Sequence, residues 1–267
     1  MDREVAWSVG KEGVEDLLLS YQADTAAYTG QLERARELSR RAVASAEQAG
    51  EKETAAGYQA ESAMREALFG ELAEARKLAT DALDLSTSRD VEVRAAFALA
   101  VAGGPADRLA DDLARRFPED TMIQFIVLPV IHAQLSLNRH DPAQAIKELE
   151  SSAPYEMGKE SPLEIFPFAL YPIYVRGEAF LANNNGKQAA VEFQKILDRP
   201  ALVLNEPIGT LALRGLARSY VLEQQPDKAR ASYQEFMSVW HQADTRSPIF
   251  REASLECRQL DGAKPDR

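Results

Sequence analysis

Cysteine and the residue types that build strands are scarce in this 267-residue chain. Cys257 is the sole cysteine, so no disulfide can form within the chain, which fits a reducing compartment. Runs rich in valine, isoleucine and threonine are nearly absent. The longest candidate strand, FIVLPV at 125–130, contains Pro129 and lies inside a longer apolar helical pattern. The composition therefore disfavours a β-sheet.

Long apolar runs and targeting signals are also missing. No apolar stretch reaches the length of a membrane span. The first residues, MDREVAWSVG, lack the basic start and apolar core of a signal peptide. We therefore predict a cytoplasmic protein without a membrane span.

Basic residues are outnumbered, and the net charge is −11. The excess lies in residues 1–150, which hold 27 acidic and 17 basic residues. Because an acidic surface repels phosphate backbones, the chain is predicted not to bind nucleic acid. We interpret the charge as a solubilising surface. An acidic groove for a basic partner is the alternative.

Alanine, leucine and charged residues are abundant and favour helix. Residues 174–197, YVRGEAFLANNNGKQAAVEFQKIL, contain two helical stretches around the turn NNNG. Gly177 and Phe180 share one helix face, as do Ala189 and Phe193. A small residue lets two helices approach, and an aromatic ring fills the space beside it. Gly177 is thus predicted to face the second helix of its hairpin.

The same pattern recurs along the chain, with small residues at matching steps around each turn. It is found at 21–43, 60–83, 93–120, 131–149 and 216–237. Such self-similarity predicts an all-α, tetratricopeptide-like right-handed α-solenoid of about six helix-turn-helix repeats. Residues 247–260 are predicted to form a C-terminal capping helix.

One repeat domain is predicted over residues 1–260, followed by a disordered tail at 261–267. The long irregular connection at 153–167 is interpreted as a loop within a continuous solenoid. A domain joint near 154–166 is the alternative.

Sequence motifs for catalysis are missing. There is no glycine-rich phosphate loop, and RHD at 139–141 and LFG at 68–70 lack the residues that kinase motifs require. His132, His140 and His241 lie far apart and have no metal-ligand partner at helical spacing. We expect no enzyme activity, no cofactor and no metal site.

Partner binding is predicted for positions on first helices that face the concave groove in this fold. These positions are Asp24, Tyr174, Glu178, Arg214 and Arg218. A surface charge is the alternative for Asp24, and Arg214 and Arg218 are candidates, with Arg176, for a cationic patch. The lysine and asparagine of a chaperone carboxylate clamp are missing. The expected partner is a protein or peptide, although the residues leave a small-molecule ligand open.

Several stretches resemble a known group of repeat regions. They include DTAAYTGQLERARELSRRAV, SRDVEVRAAFALA, YPIYVRGEAFLA and NEPIGTLALRGLARSYVLEQQPDKARASYQ. They look like the C-terminal tetratricopeptide-repeat region of bacterial, acidobacterial-type eukaryotic-like serine/threonine kinases. Similar repeats follow winged-helix regulator domains. The resemblance implies a non-catalytic sensing or interaction module, either the regulatory region of such a kinase or regulator or a free-standing scaffold.

Overall fold

Helices are the only regular secondary structure in the residues that the computed structural model describes, which are 7–11, 13–158 and 168–262. These residues contain 14 α-helices and no strand. The all-α prediction is therefore confirmed. The helices form two compact units, residues 1–116 and 117–267, and each unit is described by itself.

Residues 13–116 of the first unit contain six consecutive α-helices. They are α1 (Glu15–Tyr28), α2 (Leu32–Gln48), α3 (Lys52–Leu68), α4 (Leu72–Leu85), α5 (Arg89–Val101) and α6 (Ala106–Arg116). Each helix packs against the next, and α3 also packs against α5. Each of the stretches predicted as hairpins at 21–43, 60–83 and 93–120 thus forms two consecutive helices.

The second unit begins with a π-helical turn, Ile123–Val127. Its α-helices are α7 (Leu128–Asn138), α8 (Pro142–Glu148), α9 (Tyr171–Ala182), α10 (Gly186–Leu197), α11 (Pro200–Val203), α12 (Pro207–Leu222), α13 (Pro226–Val239) and α14 (Pro248–Gly262). Short 3₁₀ segments occur at Leu149–Ser152 and Phe168–Leu170. Helix α9 packs against α7, α8, α10 and α12, and α12 packs against α10 and α13.

The segment 125–130 is helical, as the sequence pattern indicates. Pro129 lies in the first turn of α7, directly after the π-helical turn. Residues 121–138 are helical without a break, so Pro129 lies inside a longer helix. A proline there would remove one α-helical hydrogen bond and clash with the preceding turn. The π-helical turn directly before it replaces the regular α-helical hydrogen-bond pattern at this point.

One turn geometry joins the two helices of each predicted hairpin. The central turn residue has a left-handed φ between 55° and 85°, at Gly30, Gly70, Gly103, His140, Asn184 and Gln224. The N–H of the next residue donates to the carbonyl five positions earlier, at 2.7–3.0 Å. This hydrogen bond is that of a Schellman motif, which ends a helix within three residues.

The small residues that mark the repeats lie where helices meet. Alanines at the matching steps are fully or almost fully buried: Ala23, Ala35, Ala42, Ala63, Ala75, Ala82, Ala133, Ala145, Ala189, Ala217 and Ala229. Because alanine has only a Cβ, neighbouring helices can approach closely at each of these positions.

Gly177 faces the second helix of its hairpin, as the sequence pattern predicts. A Cβ built on Gly177 would lie 2.8 Å from the ring of Phe193 on α10. Gly215 on α12 approaches the same ring more closely still, at its Cζ, Cε1 and Cε2 atoms. The fully buried Phe193 ring therefore lies between glycines of two different helices.

Two segments for which the sequence made predictions lie partly outside the described residues. They are the connection at 153–167, of which 159–167 are not described, and the tail at 261–267, of which 263–267 are not described. The predicted capping helix corresponds to α14 (Pro248–Gly262).

Candidate functional site

A pocket of about 540 Å³ lies within the second unit, among helices α9, α12, α13 and α14. Three of these helices contribute residues at i, i+3 and i+4, which share one helix face. They are Glu178, Leu181 and Ala182 of α9, Arg218, Val221 and Leu222 of α12, and Glu256, Gln259 and Leu260 of α14. Tyr233 of α13 completes the lining.

The apolar part of the lining reaches the molecular surface. Val221 is 44% exposed and Leu222 is 40% exposed. Both lie in the last turn of α12, just before the turn at Gln224. The pocket thus combines an apolar wall with a few charged groups, which is the usual composition of a binding site.

Two arginines of α12 are bonded to two glutamates of α14. Arg214 Nη2 lies 2.6 Å from Glu252 Oε2 and 3.1 Å from Glu256 Oε1. Arg218 Nη2 lies 2.5 Å from Glu256 Oε1. These ion pairs attach the C-terminal helix to α12 and neutralise two arginines of the predicted cationic patch. Arg176, the third, is bonded to Glu156 and Glu192.

Glu256 is the centre of this network. The Tyr233 hydroxyl donates a hydrogen bond of 2.9 Å to Glu256 Oε2. Burial alone would raise the pKa of Glu256, but the hydrogen bonds and charges of Arg218 and Arg214 lower it to about 2. Burial and the carboxylate of Glu256 together raise the pKa of Tyr233. Glu256 is therefore a firmly held carboxylate.

Glu178 is the second carboxylate of the pocket lining, and its surroundings differ from those of Glu256. It forms no hydrogen bond and no ion pair with any described residue. Burial raises the pKa of Glu178, although the charges of Arg218 and Arg214 act in the opposite direction. A group with these properties can accept a hydrogen bond or a positive charge from a ligand.

The structure brings four of the five predicted site residues together. Glu178 and Arg218 line the pocket. Arg214 is almost fully buried beside it. Tyr174 is half-buried, with its ring packed edge-on against Phe193 at a centroid distance of 6.0 Å. Burial and the charge of Glu178 raise the pKa of Tyr174, against the effect of the two arginines.

Asp24, the fifth predicted residue, lies in the first unit and is only 8% exposed. Its carboxylate accepts a hydrogen bond from Arg65 of α3, and the same guanidinium donates to Ser39 at 2.7 Å. Burial, with the nearby charge of Glu61, raises the pKa of Asp24 to about 7 despite Arg65. Asp24 thus joins α1 to α3, and its role in partner binding stays a prediction.

Glu252 and Glu256 are the site residues that the sequence analysis missed. A signal for them exists, because they are spaced four apart on α14, as Arg214 and Arg218 are on α12. Two pairs of opposite charge at the same helical spacing match face to face. With 42 acidic residues in the chain, that signal alone does not select these two.

Among the described residues, no group of three or more His, Cys, Asp and Glu side chains is placed to hold a metal ion. None of the helices in that part of the chain has the length and apolarity to cross a membrane. No protein-family model matches the chain, and no curated protein sequence matches it.

Proposed function

We propose that this chain is a non-catalytic protein-interaction module whose second unit binds a segment of a partner protein in the pocket among α9, α12, α13 and α14. The observation that carries the proposal is the pocket lining. Equivalent faces of three helices converge there, and exposed Val221 and Leu222 form its outer wall. Exposed apolar side chains at a concave surface favour binding.

The solenoid architecture is part of this proposal. Its support is the repeated helix-turn-helix unit with one turn geometry and the packing of α3 on α5 and of α9 on α12. A tetratricopeptide-like right-handed superhelix of about six repeats accounts for both. In such a solenoid, α9, α12 and α14 occupy first-helix positions, which line the concave side.

The resemblance to kinase repeat regions supports a regulatory role in a bacterial serine/threonine kinase. A free-standing scaffold and the repeat region of a winged-helix regulator are the alternatives. The reading frame around the gene tests this part: a kinase domain encoded upstream of Met1 supports the first role, and a winged-helix domain there contradicts it.

Selection of displayed random peptides of about twelve residues tests the binding function. We expect peptides that bind the wild-type chain and lose binding to Leu222→Asp, because the substitution places a charge on the apolar wall. Leu255→Asp is the matched control, since Leu255 is also exposed but does not line the pocket. Selected peptides that bind all three proteins equally, or no selected peptides at all, would contradict the proposed function.

A further inference from the structure

Glu178 is the charged group of the pocket that the fold does not use for a hydrogen bond or an ion pair with a described residue. We propose that it receives a basic side chain of the partner polypeptide, whose apolar neighbours lie against Leu181, Val221 and Leu222. This inference rests on the proposed function and specifies the chemistry of the bound segment.

The balance of charge at the pocket favours a single positive charge on the ligand. Among the charged residues that line the pocket, Arg218 contributes one positive charge, and Glu178 and Glu256 contribute two negative charges. The lining is therefore one positive charge short of neutrality. A ligand cation bound at Glu178 supplies that charge, and its attraction is strengthened by the partly buried setting.

An anionic ligand fits the pocket less well. To reach Arg218, it must replace Glu256, which accepts hydrogen bonds from Arg218 at 2.5 and 3.1 Å and from Tyr233 at 2.9 Å. It must also approach the carboxylate of Glu178. Both effects disfavour an acidic segment, because like charges in a partly desolvated site repel strongly.

The shape of the wall favours a lysine or arginine side chain over a small amine. These side chains lay an aliphatic stem along an apolar surface while their charged group reaches a polar one. Here the stem would lie along Leu181 and Leu222 and the charge at Glu178. Because Val221 and Leu222 extend the apolar wall to the exposed surface, residues next to the basic one also find contacts.

The peptides selected in the display experiment test this inference. We expect peptides whose binding depends on Leu222 to carry a lysine or arginine flanked by apolar residues. Glu178→Gln should weaken their binding about tenfold or more, since a charge-assisted hydrogen bond is lost. Replacing the basic residue of the peptide by norleucine should have a similar effect. Combined, the two changes should cost little more than either alone.

The exposed carboxylate Glu235 provides a matched control, because Glu235→Gln removes one negative charge from α13 without touching the pocket lining. It should leave the affinity within about twofold. The peptide substitution tests the inference on the unaltered protein, whatever Glu178→Gln does to folding.

The outcomes separate this inference from the proposed function. Acidic or uncharged selected peptides that depend on Leu222 would overturn the inference and leave the proposed function intact. So would basic peptides that bind equally well after norleucine replacement. Selected peptides whose binding does not change in Leu222→Asp would overturn both the inference and the proposed function.

Discussion

At the residue scale, the ring of Phe193 determines how closely three helices approach one another. Gly177 of α9 and Gly215 of α12 both lie against this ring, and the ring is fully buried. A methyl group at either position therefore has no free space.

Gly177→Ala and Gly215→Ala should each lower the free energy of unfolding. Overpacking of a core lowers stability by about 1–3 kcal/mol. The higher helix propensity of alanine offsets this loss by up to about 1 kcal/mol. Gly177→Leu should cost more. Urea denaturation measures the change, and hydrogen exchange should show the loss of protection concentrated in residues 168–240.

Gly57 is the matched control for these substitutions. It lies in the middle of α3, and a Cβ there would have nothing within 4 Å. Gly57→Ala should therefore raise the free energy of unfolding by up to about 1 kcal/mol. If Gly177→Ala and Gly215→Ala were stabilising like Gly57→Ala, the ring of Phe193 would not be confined as described.

At the element scale, the turns between paired helices share one backbone geometry but not one residue type. The left-handed position holds glycine at 30, 70 and 103, and His140, Asn184 and Gln224 in the second unit. For residues with a Cβ, the left-handed conformation costs about 1–2 kcal/mol of conformational energy, and this cost is smallest for asparagine. Glycine and asparagine in the sequence indicate left-handed turn positions, whereas a glutamine such as Gln224 gives no such indication.

Gln224→Gly and His140→Gly should each stabilise the protein by about 0.5–1 kcal/mol, because glycine adopts the left-handed conformation without steric cost. Both side chains are exposed, so no packing is lost. Asn184→Gly is the control and should gain less. The midpoint of urea unfolding measures the effect, and lower midpoints for Gln224→Gly and His140→Gly would show that their turns are not strained.

The pairing of α14 with α12 also belongs to the element scale. The sequence predicts a capping helix and places Arg214 and Arg218 on a first helix. The pairing of Arg214 with Glu252 joins residues 38 positions apart, and its bond to Glu256 joins residues 42 apart. Helical periodicity determines which residues share a face, but it does not select the partner helix.

At the scale of the whole molecule, buried carboxylates in the first unit make stability depend on pH. The pKa of Asp24 is about 7 when folded, well above the ordinary value of an aspartate, near 4. The folded state therefore holds a proton that the unfolded state has released between these values. Stability from this group is fully present below about pH 4 and is lost as the pH rises through 7.

We expect the titration of Asp24 to lower the stability of the first unit by about 2–3 kcal/mol between pH 5 and pH 8, since one pKa unit corresponds to about 1.4 kcal/mol. Asp24→Asn should remove this part of the dependence. Glu92 contributes in the same direction, because burial raises its pKa to about 7 against the effect of Arg116. The double variant Asp24→Asn with Glu92→Gln should be nearly independent of pH in this range.

Urea denaturation at several pH values, followed by hydrogen exchange in residues 13–116, provides the measurement. Glu74→Gln, which removes an exposed carboxylate of α4, should leave the profile unchanged. A wild-type profile that rises with pH would mean that Arg65 outweighs the burial of Asp24.

The sequence by itself determined the elements of this protein. The spacing of small residues, the helix-forming composition and the turn residues predict the paired helices, the buried alanines and the close approach at Gly177, because these features depend on neighbours within a few positions. The tertiary structure decided which distant side chains meet. It placed Phe193 between Gly177 and Gly215, bonded Asp24 to Arg65, and left Glu178 without a bonded partner among the described residues. Such pairings depend on how helices stack, and helical periodicity carries no information about that.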